Sequence, residues 1–198
     1  GFVLDGGLVS PEYETRLQAA TGPLWTQAQE IIKLSRSGAA FGVRPMAEQD
    51  AILAAAKPGD PEQQKLLDHL RTVNSRQKAA YAADPWEAAT RFGRAPEAPA
   101  YTITTAEQIP EVIAERLKTI STVEQMASGA VSPLRPDEIA GAVAALTAAS
   151  VDKRAEVLAQ VGARLNVPQI AKLADQLDKG DRATALMPQL GADRTDAG

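Results

Sequence analysis

Two glutamates of this 198-residue chain have the spacing of a possible acid–base pair. Glu111 and Glu115 are four positions apart, which places both carboxylates on one face of a helix. A carboxyl group acts as a general acid near neutral pH only when an apolar cleft raises its pKa. The surrounding sequence builds no such cleft, so we predict that these two glutamates lie on an exposed face.

The chain has one histidine, His69, so a pair of metal-binding histidines one helical turn apart is impossible. Its neighbour Asp68 points about 100° away around a helix and cannot orient the imidazole. The sequence does not exclude a Ser-His-Asp triad assembled over a longer distance. It has, however, no G-x-S-x-G turn for a nucleophilic serine. We therefore predict a structural histidine at the surface or half-buried.

Two S-x-x-K tetrapeptides begin at Ser75 and Ser150, with the spacing at which a lysine can activate a serine. Ser150 is better explained as a helix N-cap, and Ser75 falls in the middle of a helix. Asp175, Asp178 and Asp181 recur every three residues but do not match the calcium-binding EF-hand loop. The chain also lacks cysteine and phosphate-binding glycine loops. We predict no catalytic, cofactor-binding or metal-binding residue, and a protein that is not an enzyme.

The composition favours helices around a thin core. Alanine contributes 38 residues, whereas Leu, Ile, Val and Phe together contribute 42, and aromatic residues make up 4%. Alanine is the best helix former but buries little surface, so we expect helices packed closely on each other or on other subunits. The net charge of −4 and the absence of clustered Lys and Arg do not predict nucleic-acid binding. No apolar run reaches the ~18 residues of a membrane span.

Helix-boundary signals recur along the chain. Ser10–Pro11, Asp60–Pro61 and Asp84–Pro85 each combine an N-cap residue with a proline at the first helical position. Glycines at 38 and 180 are expected to end helices. Together with the spacing of apolar residues, these signals predict an all-α fold, an irregular array of about nine to ten short-to-medium helices. No heptad repeat is sustained, so we expect no long coiled coil.

Composition changes divide the chain into five predicted parts. Residues 1–10 read as a flexible N-terminal arm, 11–93 as an N-terminal helical region and 94–103, rich in Pro and Ala, as a linker. Residues 104–187 form a predicted C-terminal helical region, and 188–198 a mobile polar tail. Because the chain begins with Gly rather than Met, we expect a fragment or a processed piece.

The N-terminal arm holds the candidate binding residues. Phe2, Val3 and Leu4 form a short apolar run that cannot make a stable element alone. One interpretation is a flexible arm without a binding role. The other is a docking segment, in which Phe2 and Leu4 insert into a groove or edge of a partner. We therefore treat these three residues as predicted partner-binding residues.

Parts of the chain resemble the internal virion proteins, or ejection proteins, of phages and prophages. The matching points are "KPGD" at 57–60, "QKA" at 77–79 and "AADP" at 82–85, within an Ala/Leu-rich helical context. The later "VSPLRPDEIAGAVAALTAAS" is similar to the helices that follow this segment, and "FVLD" to short apolar tags of phage virion proteins. Many such proteins also carry a lytic transglycosylase domain, but its catalytic Glu-Ser motif is not found here.

The resemblance implies a structural role. It predicts a non-catalytic helical virion component that leaves the particle with the genome, passes transiently through the host envelope, and assembles as an oligomer with copies of itself or with other virion proteins. Two alternatives remain open. The chain could belong to a murein-degrading lytic enzyme with an unrecognised glutamate as general acid, or it could be a cellular helical adaptor protein.

Overall fold

A computed structural model shows an all-helical protein. It describes residues 10–21, 25–92 and 95–192, with the backbone alone for 20 and 181–192. These residues contain ten helices and no strand, which confirms the predicted all-α array: α1 Pro11–Thr21, α2 Trp25–Gly42, α3 Met46–Ala55, α4 Pro61–Ala83, α5 Pro85–Arg91, α6 Gln108–Leu117, α7 Ile120–Ala127, α8 Pro136–Ala148, α9 Val151–Gly162 and α10 Val167–Ala192. Among the described helices, none is both long and apolar enough to cross a membrane.

The predicted helix starts are formed by side-chain caps. The Asp60 carboxylate accepts a hydrogen bond from the backbone N–H of Gln63 at 2.8 Å, and Asp84 accepts one from Trp86 at 2.9 Å. Ser150 caps α9 in the same way. Each cap satisfies a backbone donor that has no partner within its own helix. The predicted helix start at Asp60–Pro61 is therefore confirmed.

Two of the predicted helix ends are wrong. α2 continues through Gly38 to Gly42, and α10 continues through Gly180 to Ala192. A Cβ built on Gly38 would lie 2.7 Å from Nε2 of His69, and one built on Gly180 would lie 2.6 Å from Cγ2 of Ile139. These glycines serve the close approach of another helix rather than a turn.

The buried apolar residues form two clusters. One joins α3, α4, α5 and α7 through Met46, Tyr81, Trp86, Val123 and Met126. The other joins α6, α8, α9 and α10 through Ile109, Ile113, Leu134, Val143, Val157 and Leu173. Leu117, at the end of α6, packs against both clusters. This end of α6 is therefore the place where the two cores meet.

The helices α1 and α2 lie outside both clusters. α2 packs on α4, and α1 packs on α2. The face that α2 buries combines small residues, which permit a short distance between helix axes, with two large apolar ones, Ile32 and Phe41: Ala28, Ile32, Ser35, Gly38, Ala39, Phe41 and Gly42. The contact between α2 and α4 is therefore close where the glycines lie and apolar at Ile32 and Phe41.

Candidate functional site

A buried ion pair lies where the two cores meet. Nη2 of Arg116 in α6 lies 2.7 Å from Oε1 of Glu138 in α8, and the two side chains are 3% and 0% exposed. The same carboxylate accepts hydrogen bonds from the backbone N–H groups of Tyr101 and Arg135, at 2.9 and 2.8 Å. Arg116 also donates to the carbonyl of Pro99 at 2.7 Å. Glu138 is thus fully bonded within the protein.

Two aromatic rings complete the surroundings of Arg116. The centre of its guanidinium lies 5.0 Å from the ring centroid of Trp86 and 5.1 Å from that of Tyr101. The Trp86 indole donates to the carbonyl of Ser132 at 2.9 Å, which fixes its orientation. Cation–π contacts compensate part of the cost of burying the charge, by up to about 2 kcal/mol each when desolvated.

A second ion pair extends this arrangement to the start of α5. Arg135 lies 3.0 Å from the Asp84 carboxylate that caps α5, and it also donates to the carbonyl of Ala98 at 2.8 Å. Together with the bonds to Pro99 and Tyr101, this ties the extended segment 98–101 to α6 and α8 at three points. Part of the predicted linker 94–103 is thus held by side chains on both sides. The predicted domain boundaries themselves stay predictions.

These contacts define a structural site. Each buried charge of this site pairs with an opposite charge. Most of the remaining hydrogen bonds of these side chains join backbone groups, and these bonds fix three elements relative to one another. Nε of Arg116 is the exception, since it is buried and has no hydrogen-bond partner among the described residues. The arrangement positions helices and presents no exposed reactive atom.

The predicted exposed position of the two glutamates is confirmed. Glu111 and Glu115 both lie on the surface of α6, and Glu115 forms an ion pair with Lys118 at 2.7 Å. With Tyr101 and Arg164 they line an open cleft of about 530 Å³. Both carboxylates are exposed to solvent, whereas a general acid at neutral pH requires an apolar cleft.

His69 is more deeply buried than predicted, with 8% of its surface exposed. Burial lowers its pKa below the ordinary value of 6.5, and a backbone hydrogen bond to Leu34 opposes this effect. As predicted, Asp68 does not orient the imidazole, because its carboxylate binds Arg71 at 3.0 Å on the exposed side of α4. A structural role for His69 agrees with its position between two helices.

The other candidate side chains are separated from one another. Lys78 pairs with Asp50 at 2.7 Å rather than with Ser75, and its hydrogen bond is the largest cause that lowers the pKa of Asp50. Ser150 accepts from a backbone N–H as a cap. Asp175 pairs with Lys179 on the exposed face of α10. Within the described part of the chain, no group of three or more His, Asp or Glu residues is placed to hold a metal ion.

A buried amide network was not predicted. Gln49 is 0% exposed, and its amide donates to the carbonyl of Arg44 and to the side chain of Gln77, both at 2.8 Å. Its oxygen accepts from Asn74 at 3.3 Å. The sequence carries no signal that these uncharged amides are buried.

The burial of Arg116, by contrast, has a signal in the sequence, because Arg116 continues the buried stripe of Ile109 and Ile113 on α6.

The predicted binding residues Phe2, Val3 and Leu4 lie outside the described residues. The described surface has apolar residues of its own on α9 and at the start of α10. Val151 and Val167 are 78% and 79% exposed, and Leu158 is 46% exposed.

Comparisons with known proteins give no match: no family model, no curated protein and no solved structure is similar to this chain.

Proposed function

We propose that this chain is a non-catalytic structural component of a phage particle, a segment of an internal virion or ejection protein. It acts by helix-mediated assembly during genome delivery, first in the virion and then transiently in the host envelope. The sequence resemblance at 57–60, 77–79 and 82–85 is the starting point of this proposal.

The proposal that the chain is not catalytic rests on the structural role of its buried charges. Arg116 and Glu138 hold α6, α8 and the 98–101 segment together, and neither side chain is accessible. In catalytic sites, by contrast, titratable groups with perturbed pKa values face a cleft. The buried pair of Arg116 and Glu138 therefore supports a structural role for this chain.

The exposed apolar side chains support assembly with other chains. Val151 and Leu158 are seven positions apart on α9, so they lie on one side of this helix. Proposed partners are copies of this chain or other virion proteins, with Phe2, Val3 and Leu4 as a second contact. An oligomer in the assembled particle follows from this proposal.

The experiment is the detection of the full chain in purified particles from a strain that carries its gene. An epitope-tagged chain should copurify with particles through a density gradient and should disappear from them after genome release. Light scattering should show association with itself or with a virion protein. A stable monomer that never enters particles would contradict the proposal.

The cleft beside Glu111 and Glu115 keeps one enzymatic alternative open, that of a murein-degrading protein. Zymography on peptidoglycan tests it with the full chain and with Glu111→Gln and Glu115→Gln. Glu97→Gln, at another exposed position, is the control. A lytic band that is lost in either cleft variant and kept in the control would replace our proposal. Portal or tail genes beside the gene would favour a virion protein over a cellular adaptor.

A further inference from the structure

The contact between α2 and α4 contains the chain's one histidine, opposite Gly38. Nε2 of His69 is buried and has no hydrogen-bond partner among the described residues. A Cβ on Gly38 would lie only 2.7 Å from this nitrogen, so the backbone of α2 is almost in contact with it. The space between the two helices cannot admit a water molecule at this point.

The absence of an acceptor for Nε2 among the described residues indicates which ring nitrogen carries the proton. Because a proton on Nε2 would be a buried donor without an acceptor, the neutral ring carries its proton on Nδ1 and its lone pair on Nε2. A second proton must therefore be added at Nε2. The new N–H would point at Gly38, where it finds no acceptor and no solvent.

We propose that His69 is an acid-sensitive latch, and that its protonation at Nε2 releases the α1–α2 hairpin from α4. No described residue of α1 or α2 belongs to either apolar cluster, so the opening leaves both cores intact. α1 leaves with α2, because it packs on α2 and none of its described side chains is fully buried. This inference does not depend on the proposed function.

The neighbouring charges do not supply an alternative partner for the imidazolium. On α2, Lys33 pairs with Glu62 at 3.7 Å and Arg36 with Glu14 of α1 at 2.6 Å. The remaining charged residues of α2 and the adjoining turns of α4 are on exposed positions: Glu30, Lys65, Asp68, Arg71 and Arg76. Burial is the main cause that lowers the pKa of His69.

The direction of the pH effect follows from proton linkage. Unfolded or released His69 has an ordinary pKa of about 6.5, whereas burial lowers the pKa in the closed contact. The released form therefore binds more protons, and acidification below about pH 6.5 favours it. Between the ordinary pKa and the pKa of the closed contact, each pH unit of acidification increases the ratio of released to closed protein about tenfold. Below the pKa of the closed contact, the ratio no longer changes.

The experiment is amide hydrogen exchange of the full chain at pH 7.5 and 5.5, corrected for the intrinsic rate at each pH. We expect faster exchange at pH 5.5 in α1, α2 and the facing side of α4, with α6 and α8 unchanged. His69→Asn removes the titration while keeping a donor near Leu34, so its exchange in α1–α2 should not depend on pH. Equal protection of wild-type α1–α2 at both pH values, or acid sensitivity retained in His69→Asn, would overturn the proposal.

Two further measurements keep the test valid if His69→Asn does not fold. Proton NMR of the wild-type imidazole should give a pKa below 6.5, and a value at or above 6.5 would contradict the latch. Gly38→Ala should open the contact at every pH by pressing on Nε2. Gly162→Ala, where a Cβ meets nothing within 4 Å, is the matched control and should keep the wild-type pH response.

Discussion

The guanidinium of Arg116 lies 2.7 Å from the carboxylate of Glu138, and both side chains are buried. The two residues belong to different helices and are 22 positions apart in the chain. Removing charges from water costs several kcal/mol per ion, which is recovered only when geometry and additional hydrogen bonds are good. Here the backbone groups of Pro99, Tyr101 and Arg135 supply the additional bonds.

Removing one partner of this pair should strongly destabilise the protein. Arg116→Met leaves the Glu138 carboxylate buried without its counter-charge, and we expect a loss of about 3–5 kcal/mol in the free energy of unfolding. Urea denaturation followed by circular dichroism measures this loss. The control is Lys118→Met, because Lys118 pairs with Glu115 on the surface and such pairs contribute only about 0–1 kcal/mol. Equal effects of the two substitutions would contradict the energetic importance of burial.

A double substitution separates the pair energy from the desolvation cost. Arg116→Met combined with Glu138→Leu replaces both charges by apolar groups, so no charge stays buried alone. We expect the double variant to lose less stability than the sum of the two single variants, with a coupling of about 0.5–3 kcal/mol. Additive losses in the same denaturation experiment would show that the two residues act independently.

Two glycine substitutions should have opposite effects. A Cβ on Gly141 of α8 would lie 2.6 Å from the carbonyl oxygen of Ile103, a backbone atom that cannot rotate away. Gly141→Ala should therefore lower the unfolding free energy by roughly 1–3 kcal/mol, although alanine favours helices. Gly162→Ala has free space around it and should leave stability equal or raise it by up to about 1 kcal/mol. Thermal melts of the two variants give the comparison, and a stabilised Gly141→Ala would refute the close approach.

The buried amide network should depend on Gln49. Gln49→Leu keeps the approximate volume but leaves the carbonyl of Arg44 and the side chain of Gln77 without their donor. Each unsatisfied buried group costs about 1–3 kcal/mol. Gln64→Leu, at an exposed position of α4, should change stability by less than about 0.5 kcal/mol. If both variants melted alike, the network would have no measurable role.

Partner binding through the N-terminal segment gives a separate prediction. Phe2→Ser with Leu4→Ser should weaken association with the particle or with a second copy by at least about tenfold, because apolar anchors dominate such contacts. Leu8→Ser is the matched control in the same region of the chain. Sedimentation or light scattering measures the change. An unchanged affinity in the double variant would remove Phe2 and Leu4 from the proposed contact.

Local signals predicted the helices well. Asp60, Asp84 and Ser150 were recognised as caps because a cap depends on residues within three positions of one another. Gly38 and Gly180 were misread as helix ends, because the same residue serves tight turns and close helix packing. Which of the two applies depends on a partner helix that is distant in the sequence.

The buried charges required the three-dimensional arrangement. Arg116 lies on the apolar stripe of α6, and this was a usable signal of burial. Its partner Glu138 has the sequence pattern of a capping residue at the start of α8, and its other oxygen does accept the backbone N–H of Arg135. Nothing in the sequence shows that one carboxylate performs both tasks. The burial of His69 likewise depends on Gly38, which lies 31 positions earlier.

The hydrogen bonds of the 98–101 segment fix the number of residues at this point of the chain. The carbonyls of Ala98 and Pro99 and the N–H of Tyr101 each meet a side chain at 2.7–2.9 Å, so one inserted residue would shift at least one of them out of register. Ordinary surface connections accept insertions readily. Related chains should therefore keep this segment at constant length, and fusion or permutation of the protein is better placed at the exposed 56–60 turn.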